Sequence, residues 1–238
     1  MNSSSASTEE KAIQYLEDKY DKEFEVMYAK EGSKLFEDLY GGDVVTVNPK
    51  GEPDVIFTVK GSEEPFVETY LQAKWSQELQ EKLQSDIEKE LPKDTSYKVI
   101  ISNTRMSNDA SPNKPVEEVL KESDTAIVSI MAAIKTDGEP DVSQYNKGIY
   151  NLYNLLNGLG VNKYVVSVGF VDQSEDVTEY IRTSYVNNIP WTNLNAKVYG
   201  VIAIDERHNP DKPSDLINPE MILKDAKSVI ENYSPIEE

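Results

Sequence analysis

Thr125-Ala126-Ile127-Val128-Ser129-Ile130-Met131-Ala132-Ala133-Ile134 is the stretch that decides the fold. Apolar side chains stand at both its odd and its even positions. A strand of that composition needs cover on both faces, so it belongs at the centre of a sheet with a layer on each side. Outward from it, Tyr97 to Ser102, Tyr164 to Val171 and Lys197 to Ile204 read as further strands. Val116 to Glu122 reads as a short helix. Val142, Tyr145, Ile149, Leu152, Leu156 and Leu159 alternate three- and four-residue steps, predicting a helix that Asp141 or its neighbour caps and Gly160 stops. Ser174 to Tyr185 carries Val177, Tyr180, Ile181 and Ser184 at helical spacing, and Asn187 to Asn195 reads as a loop around Trp191. Asn218-Pro219 offers a cap followed by proline, a helix start whose stripe is Ile222, Ala226, Val229, Ile230 and Tyr233.

The N-terminal part has its own pattern. Ser7-Thr8-Glu9-Glu10 fits a capping box opening a helix with Ala12, Ile13, Leu16 and Tyr20 on one stripe. Phe24 to Tyr28 reads as a strand. Gly41-Gly42 breaks the chain before Val44 to Val47, and Val55 to Val59 follows a loop holding Pro and Gly, which predicts a hairpin. From Pro65 a long helix is expected, because Val67, Leu71, Trp75, Leu79, Leu83 and Ile87 recur every four residues until Pro92 ends it. GEPDV occurs twice, at Gly51–Val55 and Gly138–Val142. The first copy turns the hairpin and the second launches a helix, so the two share turn chemistry and not ancestry. The fold class expected is α+β, with helices packed on a mixed or antiparallel sheet in two subdomains. Residues 1–7 form a disordered tether, 8–92 the helix, hairpin and long-helix subdomain, 93–234 the larger sheet subdomain, and 235–238 a loose tail.

Composition limits the partners. With 43 acidic against 24 basic residues the formal charge is -19, a surface that repels phosphate backbones, so nucleic acid is not expected as a partner. A basic protein or a divalent cation is electrostatically easier. The absence of cysteine removes disulfides, thiolate zinc sites and cysteine nucleophiles. His208 is the one imidazole, and its segment Arg207-His208-Asn209-Pro210 reads as solvated loop. No apolar run approaches the ~20 residues that cross a bilayer.

Tyr15-Leu16-Glu17-Asp18-Lys19-Tyr20, leading into Phe24-Glu25-Val26, and Tyr70-Leu71-Gln72-Ala73-Lys74-Trp75 together resemble a group of Gram-positive surface lipoproteins of unknown function, over about residues 8 to 102. The resemblance implies an extracytoplasmic chain attached to the membrane by a lipid on an N-terminal cysteine. Met1 to Ser7, small and polar, suits the tether that follows such a cysteine, although the cysteine itself is not in this sequence. The resemblance carries no catalytic residue.

The phosphate-loop, dinucleotide, nucleophile-elbow and zinc-protease signatures do not occur. What remains is a set of carboxylates just after the apolar strands: Asp137 with Glu139, Asp172 with Glu175, and Asp205 with Glu206. Were the three strands parallel, Asp137, Asp172 and Asp205 would converge at one sheet edge and suit Ca²⁺ or Mg²⁺, or acid/base work. Antiparallel pairing would scatter them. Trp191, in a polar loop, is the candidate partner-binding residue, with folding back onto the core as its alternative. The function expected is binding of a protein or small ligand without catalysis or a resident cofactor. The alternatives are a carboxylate- or metal-dependent enzyme and an acidic inhibitor of a basic protein.

Overall fold

The computed structural model describes residues 7–32, 42–104, 111–187, 189–212 and 214–237. Residues 1–6 of the expected tether, Gly41 and the last residue lie outside them. The fold is α+β and divides into two compact units, residues 1–74 and 75–238.

In the first unit, α1 (Thr8–Tyr20) starts on the Ser7 capping box, with the Glu10 amide donating to Ser7 Oγ and the Ser7 amide to the Glu10 carboxylate. Strands β1 (Phe24–Lys30), β2 (Val44–Pro49), β3 (Phe57–Lys60) and β4 (Val67–Glu68) form an antiparallel sheet in that order. The first GEPDV lies between β2 and β3, and Gly51 takes φ +83°, which a side chain would strain. Tyr20, Phe24, Phe57 and Tyr70 pack edge to face or tilted, with ring centroids 4.6 to 6.3 Å apart. Their burial holds the unit together.

The long helix α2 (Tyr70–Glu90) begins later than the four-residue period predicts. Val67 is 60% exposed and sits in β4, because Val67 and Glu68 pair with Lys60 and Val59. Glu68 then accepts the Tyr70 amide at 2.6 Å and fixes the helix start. The remaining stripe of Leu71, Trp75, Leu79, Leu83 and Ile87 is buried as spaced. The division between units falls inside α2, at Lys74/Trp75, and not at residues 92/93 as expected. Side chains of the later turns explain this: Ser76 Oγ accepts the Ile101 amide at 2.8 Å, Gln80 accepts the Val99 amide at 2.9 Å, and Trp75 Nε1 donates to the Lys114 carbonyl. The first two contacts satisfy amides on the outer edge of β5 (Ser96–Ser102), which would otherwise be open for pairing.

The second unit continues with α3 (Val116–Glu122), β6 (Ile127–Thr136), α4 (Asn146–Asn157), β7 (Lys163–Asp172), α5 (Thr178–Asn187), β8 (Val198–Asp205) and β9 (Tyr233–Pro235). The sheet order is β5-β6-β7-β8-β9, with β6 and β7 parallel and every other neighbour antiparallel. Helix α4 lies against β6 and β7, and α5 against β5 and β6. Val128, Ile130, Ala132, Ala133 and Ile134 are all at 1% exposure or less, as a central strand requires.

The C-terminal helix does not form. Pro219–Met221 and Ala226–Asn232 are 3-10 turns, and Tyr233 enters β9. Asp225 and Ser228 make a capping box that restarts the chain inside the expected stripe, and Asn232 spends its amide on the Met221 and Ser228 carbonyls. Tyr233 lies over Gly200, where an added Cβ would stand 2.3 Å from its hydroxyl. Among the described residues no helix is long and apolar enough to cross a membrane.

Candidate functional site

The sheet register places the strand-end acids. In the parallel pair, Thr136 lies opposite Asp172, so Asp137 and Asp172 share one end of the sheet. In the antiparallel pair, Asp205 lies opposite Val165, which puts it at the other end of β7. At ~3.3 Å per residue the two ends of β7 are more than about 20 Å apart. The convergence of Asp137, Asp172 and Asp205 therefore does not occur, and one Ca²⁺ or Mg²⁺ cannot take all three as ligands, since its ligand distances are ~2.4 Å. Among the described residues no group of three His, Asp or Glu is arranged to hold a metal ion.

Asp172 and Asp205 serve another purpose, shared with several neighbouring acids, which is to accept backbone amides near strand ends and turns. Asp172 Oδ1 takes both the amide and the hydroxyl of Ser174, at 2.9 and 2.6 Å. Asp205 Oδ1 takes the Arg207 amide, Asp141 that of Ser143, and Asp176 that of Thr178, each two residues on. Glu175 accepts the Lys197 amide and Glu206 the Tyr164 amide across longer spans. The aspartate bonds are Asx turns, in which a short polar side chain supplies a local backbone acceptor, while the two glutamate bonds tie segments distant in sequence.

Their electrostatics follow from those bonds. Ser174, then the Tyr199 hydroxyl, then the Ser174 amide hold the Asp172 carboxyl down at about 2. The same carboxylate raises the Tyr199 phenol. Tyr233 donates to Glu139 at 3.2 Å, and burial followed by that carboxylate pushes its phenol up to about 12. Burial works to raise the Asp205 carboxyl, but His208 and Arg207 outweigh it and hold the group well below the usual carboxylate range.

Trp191 takes the second of the two courses open to it, and His208 departs from its reading as solvated loop. Trp191 is 8% exposed and folds back onto the core, so it offers no free ring as a partner anchor. Its Nε1 donates to Ser167 at 3.0 Å, its ring lies edge-on to Tyr180, and it covers Gly169, where a Cβ would meet the ring at 2.5 Å. A glycine inside an otherwise apolar strand is the sequence signal for that close approach. His208 is buried at 3% and not solvated. Its Nδ1 lies 3.1 Å from both the Asp205 amide and Asp205 Oδ1, and its carbonyl accepts the Leu223 amide. Beside it Tyr164 donates to Asn157 and Asn209 completes a buried polar cluster.

At the end shared by Asp137 and Asp172, a cleft of about 990 Å³ opens beside Trp191. Leu194, Ala196, Val198 and Ile236 give it apolar walls, while Glu139 and Glu237 set negative charge against Lys197. Ala133, Val171 and Ile181 share one buried cluster with Trp191, so the cleft is backed by core. The C-terminal residues make one wall, tied down by the Ile236 amide donating to the Tyr199 carbonyl at 2.9 Å. Lys197 lies over the Tyr199 ring, 5.2 Å from its centroid.

No protein-family description matches the chain, and no curated protein is similar to it. Among solved structures, a DUF5037 family protein from the Firmicute Ruminococcus gnavus is similar at 16% identity and a TM-score of 0.43, over 74% of this chain and 78% of that one.

Proposed function

We propose that this chain is a non-catalytic binding module, working outside the cytoplasm on a lipid tether, whose ligand enters the cleft beside Trp191. The observation that carries the reading is the pairing of a partly apolar, core-backed cleft with an Asp172 carboxylate already committed to Ser174 and Tyr199. Both oxygens of Asp172 are occupied, and its carboxyl is held near 2, so at neutral pH it is a fixed anion and not a proton shuttle. The opposed charges of Glu139 and Lys197 around apolar walls suit a ligand with an apolar body and polar ends, a short peptide being the simplest. The resemblance over residues 8 to 102 supports the extracytoplasmic setting.

A thermal-shift screen with short peptides and oligosaccharides tests the site. A ligand at about 100 times its Kd adds ~2.7 kcal/mol, or roughly 5–10 °C for a chain of this size. Leu194→Gln should abolish the shift while leaving the fold unchanged by circular dichroism. Hits that survive that substitution would place binding elsewhere. Fractionation of cells expressing the full gene tests the setting, and a purely cytosolic product contradicts it.

A further inference from the structure

The first unit carries a second opening, separate from the cleft and independent of it. A groove of about 610 Å³ runs between α1 and the segment before β4. Tyr15 and Phe66 form its floor, with ring centroids 5.3 Å apart. Glu10, Glu63 and Glu64 stand along it with Lys11, giving three carboxylates against one ammonium. An apolar floor under a carboxylate rim matches the chemistry of a lysine side chain, which lays four methylenes on apolar surface and carries its charge at the tip.

The chain makes the same arrangement for itself on the neighbouring side of Tyr15. Lys19 Nζ lies 5.5 Å from the Tyr15 ring centroid and reaches the buried Glu68 at 2.9 Å. In the groove itself Lys11 reaches Glu63 at 3.4 Å, with the Glu63 side chain 79% exposed. Such a pair contributes little and gives way to another cation at small cost. The charge of the whole molecule, -19, favours approach of a basic partner over long range.

We infer that this groove is a docking site for a lysine-bearing segment of a basic polypeptide. The partner's alkyl stem lies across Tyr15 and Phe66, and its ammonium replaces Lys11 at Glu63 and adds Glu64. Association is electrostatically steered and weakens with salt over the range in which the Debye length shrinks.

The test uses the whole chain and an octalysine peptide at low salt, followed by NMR. The largest shift changes are expected at residues 10–15 and 62–66. Neutralising the rim with Glu63→Gln and Glu64→Gln should weaken binding about fivefold, while Glu118→Gln with Glu220→Gln, which removes the same charge elsewhere, should leave it unchanged. Shift changes spread over the surface, equal weakening by both double variants, or no binding at low salt would each overturn the inference. Loss of the cleft ligand would not affect this result, because the two openings share no residue.

Discussion

Gly148→Ala is expected to destabilise the protein by about 3 kcal/mol, lowering the melting temperature by roughly 6–12 °C. Gly148 sits in the first turn of α4, where a Cβ would stand 2.1 Å from the carbonyl oxygen of Glu90 at the end of α2. That oxygen is backbone and has no rotamer to move into. Relief requires the two helix ends to separate, which also breaks the bond from Asn151 to the Glu90 carboxylate at 2.7 Å. Calorimetric melting of the variant measures the effect. A change within about 0.5 kcal/mol, the size of an ordinary surface substitution, would contradict the close α2–α4 contact.

Removing Asp205 should cost nearly as much, and the cost should depend on pH. Asp205→Ala takes away the acceptor for the Arg207 amide and the partner of a buried His208, a loss of about 3 kcal/mol near neutral pH. Asp205→Asn keeps an acceptor for the amide but loses the charge and the second oxygen that accepts from the half-exposed Arg207 guanidinium, so it should cost about 1 kcal/mol. The sign with pH follows from the depressed carboxyl. A group whose folded pKa lies below its unfolded value of about 3.9 contributes in full above roughly pH 5 and loses that contribution as pH falls toward the folded value. The gap between the parent chain and Asp205→Asn should therefore narrow below pH 4. Urea unfolding at pH 7, 5 and 3 measures it, and a gap that widens on acidification would contradict the direction of the shift.

Much of the scaffold is legible in the sequence, because its strands and helices are local patterns. The doubly apolar run around Ile130 is the central strand, and Val116–Glu122 forms the short helix with the expected bounds. The second GEPDV launches a helical segment through Asp141, and Gly138 takes φ +89° just as Gly51 takes +83° in the hairpin loop. What local pattern does not give is direction. Strand β8 is apolar and of the right length whichever way it runs. Its antiparallel course depends on α5 and the turn at Trp191 returning the chain to the end where β7 stops. That single reversal separates Asp205 from Asp172. The burial of His208 is equally nonlocal, since it depends on Leu223, fifteen residues on, closing over its carbonyl. The Asx turns, by contrast, were readable: Asp172-Gln173-Ser174 and Asp141-Val142-Ser143 share a spacing whose physical meaning is an acceptor for the amide two residues ahead.

The cleft follows from the same geometry. Parallel β6 and β7 bring Glu139 and Asp172 to one end, the antiparallel β8 starts there with Lys197 and Tyr199 beside it, and β9 supplies the last wall. None of its apolar residues is conspicuous in the sequence, because each occupies an unremarkable place near the end of an element.

The central claim is that Asp172 and Asp205 are fixed structural acceptors, and carbon-detected NMR titration of the aspartate carboxyls tests it most directly. Asp172 should titrate near pH 2 and Asp205 below the usual carboxylate range, with neither resonance moved by millimolar Ca²⁺ or Mg²⁺. Titration of either group above about pH 5, as a poised acid or base requires, or a saturable shift on adding metal, would contradict the account.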